Sequence, residues 1–286
     1  MRSQAWQVGL DIQAGFARAI AVQRRHYGWQ LRQWWEHPLP PLSLRGGILH
    51  ETTALSAILS NWRSTLPVKI SLRICLPAHR VMQHSLPQPD VRLSGAARSA
   101  FIFASGAKHF PLSVEQLVMD YRAAPMDAQN IIVTAARREE LQQWQRFLAA
   151  SHLTPEVVEL APCALQLAAS VAGESAEKLL LHRLDEGWLW ASPHGLPFQF
   201  GVFDAQEVKD ISQLASLAKE QYRAAKLCDE QLLFSSPRVE ELPQGVGSWS
   251  PFRALTQFSP PLPANPAAFA LAMGLALRAR DNGCCR

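Results

Sequence analysis

The chain of 286 residues holds 28 Lys and Arg against 24 Asp and Glu, and 48% of it is apolar. That length suits roughly two domains with substantial cores, and the composition is that of an ordinary globular protein. Basic residues pair only at Arg24-Arg25 and Arg137-Arg138, a thinner footprint than nucleic-acid binders carry, so a solvated surface is expected and direct nucleic-acid contact is not.

Residues 8–12, 17–24 and 29–35 look like three short strands joined by tight turns. The spacing of Leu55, Ile58, Leu59 and Trp62 predicts a helix over 51–65, ended by Pro67, and 69–76 reads as a buried strand. A stretch richer in proline and polar residues, 77–125, follows. Beyond it come a strand at 130–135, an amphipathic helix at 137–151, a strand at 157–160 and a helix at 161–172. The opening order then returns: strand-like 178–184, 187–191 and 197–203, a helix over 205–226 and a strand at 231–235. Three strands, a helix and a strand, occurring twice, predict a duplicated α/β lobe. Proline keeps 259–266 irregular, and a last helix is expected over 266–280, with Pro266 in its first turn and Gly283 beyond its end.

The five cysteines, Cys75, Cys163, Cys228, Cys284 and Cys285, are odd in number and show no C-x-x-C spacing. Reduced thiols in a cytosolic protein are the simplest account. The opening "MRSQAWQVGLD" lacks the apolar stretch of a signal peptide, and the apolar run 267–277 is about half the ~20 residues that span a bilayer. The expectation is a cytoplasmic protein that meets the inner membrane only through a partner.

Conventional catalytic signals are absent. There is no H-E-x-x-H, no G-x-x-x-x-G-K-[ST], no G-x-G-x-x-G and no G-x-S-x-G, and none of the scattered histidines pairs at metal-ligand spacing with a nearby cysteine or carboxylate. S-x-x-K occurs three times, at 105–108, 175–178 and 216–219, without the motifs that accompany it in enzymes. Trp34-Trp35 beside Arg32 could stack on bases, but neighbours on a strand point to opposite faces, so one is expected inside and one on the sheet surface.

Four stretches carry a resemblance. They are "VGLDI" (8–12), "ISLRICLPAHRVMQHSLPQPD" with "FPLSVEQLVMDYRAAP" (70–90 and 110–125), "NIIVTAARREELQQWQRFLAASHLTPEVVELAPCALQLA" (130–168) and "NPAAFALAMGLALRA" (265–279). In this order the chain resembles the actin-like ATPases, and more narrowly the PilM-type assembly proteins of type IV pilus and DNA-uptake machines. The resemblance implies an α/β, two-lobed actin-like (ribonuclease H-like) fold. Residues 1–172 would form the first lobe, with a small inserted subdomain over 77–125. Residues 173–264 would form a shortened second lobe, and 265–286 a C-terminal helix packing back on the first.

The resemblance also sets a test for the nucleotide site. Phosphate cradling needs small residues whose amides and hydroxyls reach the oxygens, with acids to hold magnesium or position water. The family's first loop reads D-I-G-S-S-S-[IV]-K; here "DIQAGFAR" keeps Asp11, puts Gln13 for the first glycine, Ala14, Gly15 and Phe16 for the hydroxyl run, and Arg18 for the lysine. The second-lobe D-x-G is missing near 181–184, and Asp185 and Glu186 fit a hairpin turn instead. Ser235 and Ser236 stand where the adenosine-side glycines belong, and their β-carbons would crowd a purine. No cofactor is therefore expected, ATP and magnesium being poorly served, and no enzyme activity.

In the family, the cytoplasmic N-terminal peptide of a PilN-type inner-membrane protein docks beside the insert. The resemblance nominates Val81, Phe101, Phe103 and Leu112 as pocket residues, with Arg80 and Tyr121 as polar contacts, although the apolar ones could equally form the insert's own core. The leading expectation is a scaffold in a pilus-like or DNA-uptake complex. The rivals are an ATPase whose nucleotide state gates that assembly, with Asp11 as magnesium-side acid, and direct DNA binding, which the sparse charge disfavours.

Overall fold

Val8, Leu10 and Ile12 alternate with Gly9 and Asp11, so one face of the first strand enters a core and the other meets the rest of the molecule. This strand, β1 (Trp6–Ile12), opens a computed structural model that describes residues 5–124, 127–194, 198–222 and 231–280. β2 (Phe16–Arg25) and β3 (Gly28–Pro38) complete an antiparallel meander, followed by the two-residue strands β4 (Leu44–Arg45) and β5 (Ile48–Leu49). α1 (Thr53–Ser64) starts where the Thr52 hydroxyl accepts from the Leu55 amide, and buries Leu55, Leu59 and Trp62 on one face. β6 (Ile70–Leu76) then returns parallel to β1.

Next comes the insert: β7 (Val81–Pro87), α2 (Gly95–Ala107), β8 (Leu117–Ala124) and β9 (Asp127–Arg137), an antiparallel sheet of order β7-β9-β8. Its core is Leu86, Ile102, Phe110, Leu117, Ile131, Val133 and Ala135. The expected boundary at 125, itself outside the described residues, is too early. β9 lies between β7 and β8 and supplies Ile131, Val133 and Ala135 to this core, so the subdomain runs to Arg137. The chain rejoins the first sheet through α3 (Arg138–Ala150) and β10 (Pro155–Leu160), parallel to β6. α4 (Ala161–Val171) closes the first lobe.

The second lobe repeats the plan with β11 (Leu179–Arg183), β12 (Gly187–Ala191), β13 (Phe200–Asp204), α5 (Ile211–Gln221), β14 (Leu232–Ser235) and β15 (Val246–Ser248). Its strand order, β13-β12-β11-β14-β15, matches β3-β2-β1-β6-β10 strand for strand, with the same parallel and antiparallel senses. The helix expected from 205 begins later because Asp210 caps it, its carboxylate accepting from the Gln213 amide at 2.8 Å. Residues 223–226 of that expectation lie outside the described residues, as do 281–286.

The last helix is α6 (Ala270–Leu277), preceded by a 3₁₀ turn at Pro266–Phe269. It is buried on all sides, packing on β1, β2 and α4. α4 and α6 form the layer between the two sheets, in a core that joins Ile20 and Val22 to Leu180, Leu189 and Leu233. Two glycines permit this approach. A β-carbon at Gly9 would strike the Ala272 carbonyl, and one at Gly274 the Ala164 carbonyl.

Candidate functional site

Asp11 ends the inward face of β1 and is 2% exposed. Gln13 Nε2 donates to its Oδ2 at 2.8 Å, and the Cys75 thiol points at Oδ1 at 3.8 Å. Burial pushes the carboxyl up to about 6, against the opposing pull of the Gln13 hydrogen bond and the Arg18 charge. The Cys75 thiol is driven well above its ordinary range by burial and by Asp11, which makes it unreactive.

Across the interlobe cleft, the β11–β12 turn carries Asp185. Its Oδ2 accepts from the Gly15 amide at 2.8 Å and the Phe16 amide at 3.0 Å. Its own amide donates to Gln13 Oε1 at 2.8 Å. Arg18 Nη1 stands 3.6 Å from its Oδ1, an ion pair rather than a hydrogen bond, while Arg18 Nε donates to Glu36 at 2.7 Å. Consecutive amides at such a turn make a concavity for one anion. Here a carboxylate of the other lobe fills it, where a phosphate oxygen would have to go.

Ser235 and Ser236 are equally engaged. Ser235 shares a 2.8 Å hydrogen bond with Nδ1 of His182, its register partner on β11. Burial, and after it the Arg18 charge, push that imidazole down to about 3, so it is neutral. The Ser236 hydroxyl donates to Glu240 at 3.0 Å and accepts from the Arg238 amide at 2.9 Å, and its carbonyl accepts from Asn265.

Beside Asp11 lies a cleft of about 360 Å³. Ile12, Leu184, Leu189, Val202, Phe203 and Leu271 supply much of its wall. Asp11, Asp185, Glu186 and Asp204 also line it, with His79 but no Lys or Arg. Four carboxyl groups and no fixed cation repel a polyphosphate. No cluster of three or more metal-ligating side chains occurs among the described residues. The lining therefore offers a polyphosphate no charge to neutralise it.

The nominated peptide contacts fall in two places. Phe103, Leu112 and Tyr121 pack against the insert's core, with Phe103 and Tyr121 edge to face at 5.7 Å and the Tyr121 hydroxyl 3.1 Å from Ser99 Oγ. Arg80 and Val81 sit at the junction with the first lobe, Arg80 Nε donating to Glu140 at 3.0 Å and Val81 packing on the lobe's core. Phe101 is 51% exposed on α2, and β7 and β8 are the two edges of the small sheet. Arg122 of β8 ties the insert to the body through Glu159 at 3.1 Å, which Arg278 also holds at 2.7 Å. Asp185 and His182 are parts of the site that the local sequence does not reveal. Asp185 looks like an ordinary turn residue, and its partners are about 170 positions away.

Relatives place this geometry in a family. The chain is 28% identical over 281 residues to the DNA utilization protein HofM of Escherichia coli (strain K12), covering 97% of this chain and 98% of that one. Its fold is similar to that of a solved PilM-PilN type IV pilus biogenesis complex, with a TM-score of 0.70 at 18% identity over 97% of this chain and 98% of that one. It is also similar to the cytoplasmic domain of EpsL, an inner-membrane component of the type II secretion system of Vibrio cholerae (TM-score 0.58, 14% identity, 94% of each chain). The fold is thus the two-lobed actin-like ATPase fold. The model of the type IV pilus assembly protein PilM family matches residues 9–179, and the chain belongs to that family.

Proposed function

We propose that this protein is a cytoplasmic scaffold of a type IV pilus-like, DNA-uptake machine that does not hydrolyse ATP. It binds the cytoplasmic N-terminal peptide of a PilN-type inner-membrane protein beside its insert. One observation carries the non-enzymatic part: the Asp185 carboxylate sits on the Gly15 and Phe16 amides. Family membership and the likeness to a PilM-PilN complex support the partner, and the name of the E. coli relative supports the use of external DNA. Among the described residues no helix is long and apolar enough to cross a membrane, which suits recruitment through a membrane protein. The free edges of β7 and β8 can pair with an extended peptide, and Phe101, Phe103 and Tyr121 offer aromatic surface to its side chains.

A second reading, a nucleotide-gated ATPase, is favoured by the buried Asp11 at the end of β1. Calorimetric titration with ATP and magnesium, and separately with the partner's N-terminal peptide, separates the two. The scaffold reading expects peptide binding and no nucleotide heat. Micromolar nucleotide binding abolished by Asp11→Ala would give the site to the gated ATPase.

A further inference from the structure

The end of the first sheet opposite Asp11 carries a surface that neither reading uses. β1 and β6 begin there, and β2 turns into β3 at His26-Tyr27. The segments 5–8, 22–33, 63–71 and 255–259 contain Arg24, Arg25, Arg32, Arg63 and Lys69 and not one Asp or Glu. In a chain with 24 acids against 28 basic residues, that is a strong local excess. Arg63 is turned inward, donating to the carbonyls of His152, Leu66, Pro67 and Val68, and so shapes the loop that leads into β6. Arg24, Arg25, Arg32 and Lys69 are exposed. Glu156, at the start of neighbouring β10, is paired with Arg280 at 2.9 Å.

Apolar groups stand among these charges. Val68 is 89% exposed, Tyr27 77% and Phe258 47%, the last following the Gln257 backbone that pairs with β3. Arg32 lies 5.0 Å over the Trp6 ring and Arg24 5.1 Å over the Trp29 ring. From β6 to β3 is three strand spacings, about 15 Å; Arg32 stands on the face that packs Trp6 and Arg24 on the face that packs Trp29, so the charges flank the end of the sheet from both sides.

We propose that this edge docks directly on an anionic lipid bilayer. Phospholipid headgroups neutralise Arg24, Arg25, Arg32 and Lys69, while Tyr27, Val68 and Phe258 enter the interfacial layer. Single-stranded nucleic acid fits less well, because it needs open ring faces for its bases. Here guanidinium groups already cover one face of Trp6 and of Trp29. The contact is independent of any peptide bound at the insert.

The test is co-sedimentation of the full chain with vesicles of equal parts phosphatidylglycerol and phosphatidylcholine, and with phosphatidylcholine alone. Binding should require the anionic lipid and weaken steeply with salt, a readout that needs no variant. Each basic side chain near such a surface is worth about fivefold in partitioning. Arg24→Gln with Arg25→Gln and Arg32→Gln should therefore cost on the order of 100-fold. Removing exposed charge elsewhere, as Arg45→Gln with Arg146→Gln, should leave binding close to wild type. Absence of binding, equal binding to neutral vesicles, or equal loss in the two variants overturns the proposal. So does a short DNA duplex that binds through the same arginines while anionic vesicles do not.

Discussion

The Asp185 carboxylate reaches across the cleft to the Gly15 amide at 2.8 Å, so the two lobes are joined by the loop that in a nucleotide-binding relative would hold phosphate. Removing it leaves the Gly15 and Phe16 amides without their acceptor and Arg18 with only Glu36. Asp185→Ala should lower stability by about 2–3 kcal/mol in urea denaturation, and Asp185→Asn by less, since its amide oxygen still accepts. The alanine variant, with two amides and a guanidinium freed, should also gain thermal stability in inorganic phosphate, which the wild type should not. Wild-type stabilisation by phosphate would show that the loop is open.

A buried carboxyl with a raised pKa makes a stability statement of definite sign. In the folded state Asp11 titrates near 6 rather than 3.8, so it holds an extra proton between those values. Its contribution is fully present below pH 3.8 and is lost as pH rises through 6. At neutral pH the ionised group costs about 3 kcal/mol. Asp11→Asn should therefore stabilise the protein near neutrality, with the gain fading toward pH 4. A loss at neutral pH would mean that the charge is needed for Arg18.

His182 works in the opposite sense. Its imidazole is held neutral down to about 3 from an ordinary 6.5, so its contribution is present above 6.5 and is lost as pH falls through 3. His182→Gln should flatten the acid limb of the stability profile between those values. An unchanged limb would place the proton uptake elsewhere.

The central layer tolerates no added carbon at two positions. Gly274→Ala and Gly9→Ala each push a methyl into backbone, and each should cost about 3 kcal/mol. Gly173→Ala, at a positive φ of 83° with nothing within 4 Å, should cost only about 1 kcal/mol of backbone strain. Urea midpoints compare the three directly.

Within the insert, exposure separates binding from folding. Phe101→Ala should leave stability within about 0.5 kcal/mol and weaken the partner peptide roughly tenfold. Phe103→Ala, against the insert's core, should lower stability itself. Peptide affinity unaffected by Phe101→Ala would move the docking surface off α2.

What could be read from the sequence was what local periodicity controls. β1 to β3, α1, β6 and the repeated order at 179–235 follow from apolar alternation and helical spacing. The insert's end is not legible locally, because β9 reads as a strand without saying which strands it will join; only its place between β7 and β8 assigns it. The start of α5 was set by Asp210, whose capping role competes with a run that looks helical from 205. At the site, the substitutions of Gln13 and Phe16 were visible as departures from a cradle. That Gln13 would grip both Asp11 and the Asp185 amide, and that Asp185 would fill the cradle, depended on packing two lobes together.

The place of α6 has a consequence for how the protein is made. It covers β1 and β2, yet it is encoded some 250 residues after them. During synthesis the inner face of the first sheet, with Gly9, Ile20 and Val22, stays bare until residue 277 emerges. The nascent first lobe is thus an unfinished structure until α6 has been made, exposed meanwhile to chaperones and proteases. A message broken before that point yields a product with an open apolar sheet, one that cellular quality control can recognise and remove.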